Sequence, residues 1–304
     1  MNNHEPLILH LGVHKSATTF IQHTLAHNQG AIYSGGRAYW TLEQCRPQIA
    51  QAIAEQSRQA SLLERLRKFR RGPFYGGAGK VASLLEPQMP VVLSEENIIG
   101  NPADCIGGEI YPHASRRLDA LAPAFGQRPV EVWLCLRNYP DFLSSVFAES
   151  LRHGSHMEIG EFLEANAEPQ GGWIELVASI RHSLPRCRLV IWRYEDFAGL
   201  GRDILKGLAG IEDIALADPQ GGPTRPSASD RAVREICKQG ASFSRVERVL
   251  LAAALEQRYP PQSKADKFSP WSDAQRRAMH EAYEADLDEI AEMQSVMMLR
   301  PGKA

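Results

Sequence analysis

The sequence predicts an α/β protein, a parallel sheet flanked by helices, with a helical insertion and a helical C-terminal region. Three observations carry that expectation. Short apolar runs recur at residues 7–11, 90–94, 130–136 and 188–192. They are nearly unbroken in Leu, Val and Ile, as strands are when helices cover both faces of a sheet. Segments of helical periodicity lie between them, the pattern of strand–helix crossovers, which are right-handed in a parallel sheet.

Leu7 to Leu11 reads as the first strand, and a turn from Gly12 to Thr19 leads into a helix with Phe20, Ile21, Thr24 and Leu25 on one side. Asn28 to Tyr39, rich in Gly and Ser, reads as a loop. Residues 41–71 are helical and polar, ending in the basic run from Arg65 to Arg71, which Gly72-Pro73 stops. Such a run is usually a solvated face; its alternative use is a rim that attracts an acidic glycan. Gly76-Gly77-Ala78-Gly79 follows no strand and reads as a hinge or loop rather than a dinucleotide fingerprint.

Pro90 to Ser94 is the second clear strand, with Glu95-Glu96-Asn97 at its carboxyl end, where the chemistry of open α/β sheets collects. Val130 to Leu136 runs into Arg137-Asn138-Tyr139-Pro140, and Pro140 suits the first turn of a helix presenting Phe142, Leu143, Val146 and Phe147. Arg188 to Trp192 is a further strand, followed by Tyr194-Glu195-Asp196. Residues 218–226, rich in Pro and Gly, read as a linker or active-site loop. Ser227 and Asp230 resemble a capping box opening a helix that ends before Gly240, and Ser272 and Gln275 open the last helix in the same way. Its stripe of Met279, Tyr283, Leu287 and Ile290 belongs to the core. No internal repeat is visible.

The 304 residues suffice for a substantial core, and 43% hydrophobic with 23% charged residues is globular composition. A net charge of −2 speaks against nucleic acid or an anionic membrane as partner, so any anion site must be a local concentration of cations. Five scattered cysteines without a CxxC pair point to reduced thiols in a cytoplasmic protein, not to zinc or disulfides. The longest apolar run, Val249 to Leu255, is far short of the roughly 20 residues of a membrane span, and no export signal is seen.

The turn from Gly12 to Thr19 carries one cation and three hydroxyls where a strand enters a helix. Such a turn aims unpaired N–H groups and the positive helix end at one spot, which suits phosphate or sulfate. It lacks the second glycine that a Walker A loop places before its lysine. The histidines are weaker signals. His14 either shapes the loop or packs, and His10 reads as a hydrogen-bonded core residue. His23 and His27 stand on an exposed helix face without an obvious third metal ligand.

Lys15-Ser16-Ala17-Thr18-Thr19 resembles the 5′-phosphosulfate loop of sulfotransferases that use 3′-phosphoadenosine-5′-phosphosulfate (PAPS), with alanine where that family usually has glycine. The start of the helix, Thr18 to Gln22, is similar to bacterial members. Arg137 at a strand end and Ser145 eight positions later match the pair that grips the cofactor's 3′-phosphate, and a guanidinium fork suits that group. The resemblance implies a P-loop-like sulfotransferase fold in one domain, residues 1–304, with 33–86 a substrate-side helical insertion and 225–304 a helical C-terminal part.

It further implies sulfuryl transfer from PAPS to a hydroxyl or amine of a small metabolite or glycan, leaving 3′-phosphoadenosine-5′-phosphate, without a metal. Lys15 would neutralise the leaving phosphate, and His14, Ser16, Ala17, Thr18 and Thr19 would line the 5′-phosphate cradle. Glu95, with Glu96 as the second choice, would accept the acceptor's proton, and Arg225 would close over the 3′-phosphate. Tyr194-Glu195-Asp196 resembles a structural element of the family. Two rivals stand: a non-catalytic nucleotide-binding relative and, less favoured by the loop spacing, a kinase. Ala17 separates the first of them. An intact cradle predicts right-handed helical φ/ψ there, whereas positive φ favours the non-catalytic relative.

Overall fold

In the computed structural model, residues 5–65, 76–85, 89–167, 171–218 and 226–302 are described, and side chains within 57–65 and 76–78 are left aside. Six strands form one parallel sheet: β1 Leu7–His10, β2 Ala38–Trp40, β3 Val91–Ser94, β4 Val130–Leu136, β5 Arg188–Arg193 and β6 Val296–Met298, in the order β2-β3-β1-β4-β5-β6. The four apolar runs seen in the sequence are its four central strands. Registers such as Ile8 beside Val92 and Glu131 align the carboxyl ends of β1, β3 and β4 along one rim.

Twelve helices are present among the described residues: α1 Thr18–His27, α2 Gln29–Ser34, α3 Leu42–Arg65, α4 Gly76–Leu84, α5 Ala114–Phe125, α6 Tyr139–Arg152, α7 Ile159–Ala165, α8 Trp173–Ser183, α9 Phe197–Ala209, α10 Asp230–Gly240, α11 Arg245–Arg258 and α12 Asp273–Ala291. Alternation along the strands divides them between two cores. Ile8, Val92, Trp133, Cys135, Val190 and Trp192 face α1, α2 and α9. Leu7, Leu9, Val91, Leu93, Val132, Leu134 and Ile191 face the remaining helices. Burying each such aliphatic side chain is worth about 1.5–3 kcal/mol, so a strand covered on both faces gains at every residue.

This division positions the site. The chain leaves β1 toward the α1 face and leaves β4 toward the α6 face, so the loops after these adjacent strands part over the sheet rim. In open α/β sheets a crevice at such a switch of direction is where ligands bind.

Several local expectations need correction. The segment read as a loop, Asn28 to Tyr39, holds α2 and most of β2, because Ile32 and Tyr39 are buried and draw the chain onto the sheet. The glycines at 76–79 begin α4, where burial of Val81 and Leu84 outweighs the poor helix propensity of glycine. The cap of α10 is Ser229, whose hydroxyl accepts from the Ala232 amide, in place of Ser227, and Gly240 lies within the helix. Phe20 is 43% exposed and stands off the face that buries Ile21, Thr24 and Leu25. Arg225 and the basic run beyond Arg65 lie outside the described residues. No described helix is long and apolar enough to cross a membrane. The five cysteines are buried and unpaired.

Candidate active site

The site begins with the turn after β1. Gly12 takes φ +50°, and a Cβ there would lie 2.8 Å from Thr18 Cγ2, so the tight return of the chain over the start of α1 requires glycine. Val13 is buried, and its carbonyl accepts from the Ser16 hydroxyl and, at 3.1 Å, from Thr18 Oγ1. Each hydroxyl has a single proton, so as arranged Ser16 and Thr18 brace the loop from within. Thr19 is exposed.

Ala17 is the N-cap of α1 with φ 65° and ψ 13°, the left-handed region. This overturns the right-handed geometry expected from the sequence: the last turn residue must reverse the chain before Thr18 can start the helix. No side chain caps α1, so its first N–H groups lack the usual partner and point out of the turn. Four described non-glycine residues have positive φ: Lys15, Ala17, Tyr111 and Ser295. Three of them belong to this site, since Tyr111 Oη accepts from the His14 amide at 3.0 Å and lies 2.8 Å from His14 Nδ1. Strain of this kind gathers where a fold serves a ligand.

The turn after β4 meets the first turn directly. Arg137 donates from Nη1 to the Lys15 carbonyl at 2.6 Å, and its guanidinium lies 4.6 Å from the centre of the Tyr194 ring. Its Nε is buried with no hydrogen-bond partner among the described residues. Asn138 caps α6 by accepting from the Asp141 amide, and Glu195 accepts from both nitrogens of Asn138 and from the Tyr283 hydroxyl. Glu195 thereby fixes the turn that carries Arg137, the structural part expected of the Tyr194-Glu195-Asp196 segment.

Between the two turns lies a cavity of about 370 Å³ lined by Lys15, Arg137, Arg152, Lys264, Lys267 and Arg276, with Ser145 in its wall and Asp141 its one carboxylate among the described residues. The protein as a whole is slightly acidic, so six cations around one acid is a local excess. Sequence reasoning brought Lys15, Arg137 and Ser145 to this place and missed the others. Arg152 lies two helical turns from Ser145, a spacing that could have flagged it. Lys264, Lys267 and Arg276 arrive through tertiary structure alone.

On the other side of the turn sit the acids after β3. Glu95 is fully buried; Arg46 Nε donates to it at 2.5 Å and the Asn97 amide at 2.8 Å. Burial pushes its pKa up against the Arg46 hydrogen bond. Glu96 accepts from Gln22 at 2.6 Å and from Arg46 at 3.0 Å, and its side chain is 18% exposed. Burial would raise it, but Gln22 and Arg46 hold it below the usual carboxylate range. His14 Nε2 lies 3.2 Å from Asn97 Oδ1, and burial lowers its pKa against the field of Glu96. His14 therefore joins the turn after β1 to the acidic segment.

The remaining histidines fall as expected. His10 is a core residue 2.7 Å from Ser94 Oγ, with burial lowering its pKa to about 4, and His23 and His27 are exposed. Among the described residues no group of three His, Cys, Asp or Glu is placed to hold a metal ion. Comparison with protein-family models, curated proteins and solved structures finds no match.

Proposed function

We propose that the protein is a PAPS-dependent sulfotransferase that moves a sulfuryl group to a hydroxyl or amine acceptor. The observation that carries this reading is the cationic cavity at the carboxyl ends of β1 and β4, where Lys15, two residues before the uncapped start of α1 at Ala17, converges with Arg137 and Ser145. A nucleotide bearing phosphates at both ends fits it. The N–H groups of α1, with Thr19, receive the 5′ group, and the Arg137 guanidinium, Ser145 and the cations of 264–276 receive the 3′-phosphate. Tyr194, 4.6 Å from the Arg137 guanidinium, offers an aromatic face beside this end for a base.

The donor, when bound, supplies the activated sulfuryl group. Lys15 places its ammonium where negative charge grows on the departing phosphate, a contact whose loss typically costs about 2.7–4 kcal/mol of barrier. Each acid has both oxygens hydrogen-bonded, but the Glu96 side chain is 18% exposed whereas that of Glu95 is fully buried. The proton acceptor is therefore assigned to Glu96, reversing the order preferred from the sequence, and Glu95 orients Arg46 behind it.

Calorimetry tests the reading. 3′-Phosphoadenosine-5′-phosphate should bind far more tightly than adenosine 5′-phosphate; equal affinities would refute the assignment of Arg137 and Ser145. One observation favours a second reading, a non-catalytic binder of the same nucleotide: Ala17 holds the left-handed conformation that glycine occupies without strain. Acceptor screening with labelled PAPS separates the two, since only the enzyme transfers label.

A further inference from the structure

Within the cationic cavity Lys15 is already engaged. Its Nζ lies 3.2 Å from Glu149 Oε2, a side chain only 5% exposed on α6, one turn beyond Ser145. The same oxygen accepts from Arg152 Nη1 at 2.9 Å, and His153 Nε2 lies 3.4 Å from the other carboxylate oxygen. Arg152 is held in turn by Glu256 of α11, at 2.7 and 3.0 Å from its Nε, and by the Pro226 carbonyl at 2.9 Å. Glu149 lines a second cavity of about 370 Å³ together with His153, Pro226, Ala252 and Glu256. The Lys15–Glu149 pair is thus part of the wall between two cavities, and Arg152 lines both.

We infer that Glu149 is a positioning residue that holds the Lys15 ammonium while no donor is bound and competes with the donor's phosphosulfate end for it. The inference rests on the sulfotransferase reading and adds a control on the same site. Two features make the exchange feasible. When Lys15 turns to the donor, Glu149 keeps Arg152 and His153, so no buried carboxylate is left alone, the situation that makes breaking a buried pair so costly. Arg152 in turn keeps Glu256, so the rest of the network need not move.

The charge of Glu149 is constant in the neutral range, while burial lowers the Lys15 pKa. Burial would raise the Glu149 pKa, but Lys15 and Arg152 hold it at about 2, so the carboxylate is ionised throughout the neutral range. Protonation of Glu149 therefore does not release Lys15 in the neutral range, and arrival of the anion does. After transfer, return of Lys15 to Glu149 weakens the grip on the nucleotide product and promotes its release.

The test uses the full chain and 3′-phosphoadenosine-5′-phosphate in calorimetry, with donor kinetics alongside. Glu149→Gln should bind the nucleotide about tenfold more tightly, equivalent to roughly 1.4 kcal/mol. Its kcat should fall together with KM for the donor, because release slows. In a Lys15→Ala background the same substitution should change affinity less than about twofold, since the competed cation is gone. A carboxylate that merely supports the fold would weaken binding when removed, so the sign of the change decides. Should Glu149→Gln fail to fold, Glu149→Asp keeps the charge, falls one methylene short of Lys15, and should also tighten binding. Unchanged or weaker binding by a folded variant overturns the inference and leaves the sulfotransferase reading standing. Failure of the unsubstituted protein to bind the nucleotide overturns both.

Discussion

Replacing Ala17 by glycine tests the shape of the turn more directly than any substitution of a charged residue. Ala17 sits at φ 65°, ψ 13°, where an L-residue with a Cβ costs about 1–2 kcal/mol relative to its preferred region. Glycine removes that cost and adds unfolded-state freedom worth about 0.4–1 kcal/mol in the opposite sense. The methyl group is half-exposed, so little burial is lost. The balance is a net stabilisation of about 0.5–1 kcal/mol, or about 1–3 °C in Tm for a chain of this size. Urea unfolding at constant m-value measures it. Ala17→Val should go the other way by more than about 1 kcal/mol, because a β-branched residue is a genuine outlier in this region. Nucleotide affinity in the glycine variant should stay within about threefold, since the backbone shape is retained. A glycine variant less stable by about 0.5 kcal/mol or more would refute the left-handed assignment and restore the helical geometry expected from the sequence.

Three further predictions concern the site and its surroundings. Arg137→Ala should remove about 1.5–3 kcal/mol of the preference for 3′-phosphoadenosine-5′-phosphate over adenosine 5′-phosphate, and equal losses for both ligands would place Arg137 elsewhere. Glu96→Gln should lower turnover by about 10²–10⁴-fold with product affinity nearly intact; if Glu95→Gln alone shows that pattern, the proton goes to Glu95. His10 makes stability depend on pH. Its folded pKa of about 4 lies below the unfolded 6.5, so the unfolded chain takes up the proton first as pH falls. Stability should therefore decline from pH 6.5 to about 4, by about 3 kcal/mol over the full window, with His14 adding in the same sense. His10→Gln should flatten the slope in urea melts at stepped pH.

The parts of this molecule legible in the sequence were those set by local pattern. The four central strands announced themselves because burial on both faces leaves no polar interruption in runs such as Val130–Leu136. The cap of α12 by Ser272 and Gln275 and the buried stripe of Met279, Tyr283, Leu287 and Ile290 are equally local. The edge strands β2 and β6 escaped notice because three residues are too few for periodicity, and pairing with a neighbour decides their state. The same division runs through the site. Lys15 and Arg137 each stand at the end of a readable strand, and the sheet order makes them neighbours. Lys264, Lys267 and Arg276 reach the cavity through long-range packing of α6 against the C-terminal part of the chain, which no spacing along the chain encodes. Ala17 was misjudged because the backbone reversal depends on where α1 begins, and a boundary of one residue decides the sign of φ.

The buried cysteines have a practical consequence. Burial pushes the thiols of Cys45 and Cys237 up to about 12 and that of Cys187 up to about 11, so in the folded protein almost no reactive thiolate exists at neutral pH. A maleimide or iodoacetamide reagent should therefore leave the native chain unlabelled and mark each position only as its surroundings open. The five sulfurs are well spread for this purpose: Cys135 reports on the core beneath α1 and α9, and the other four on the opposite face of the sheet. The order in which they label, read by mass spectrometry under mild denaturant, would map which side of the sheet loosens first, without introducing a single probe.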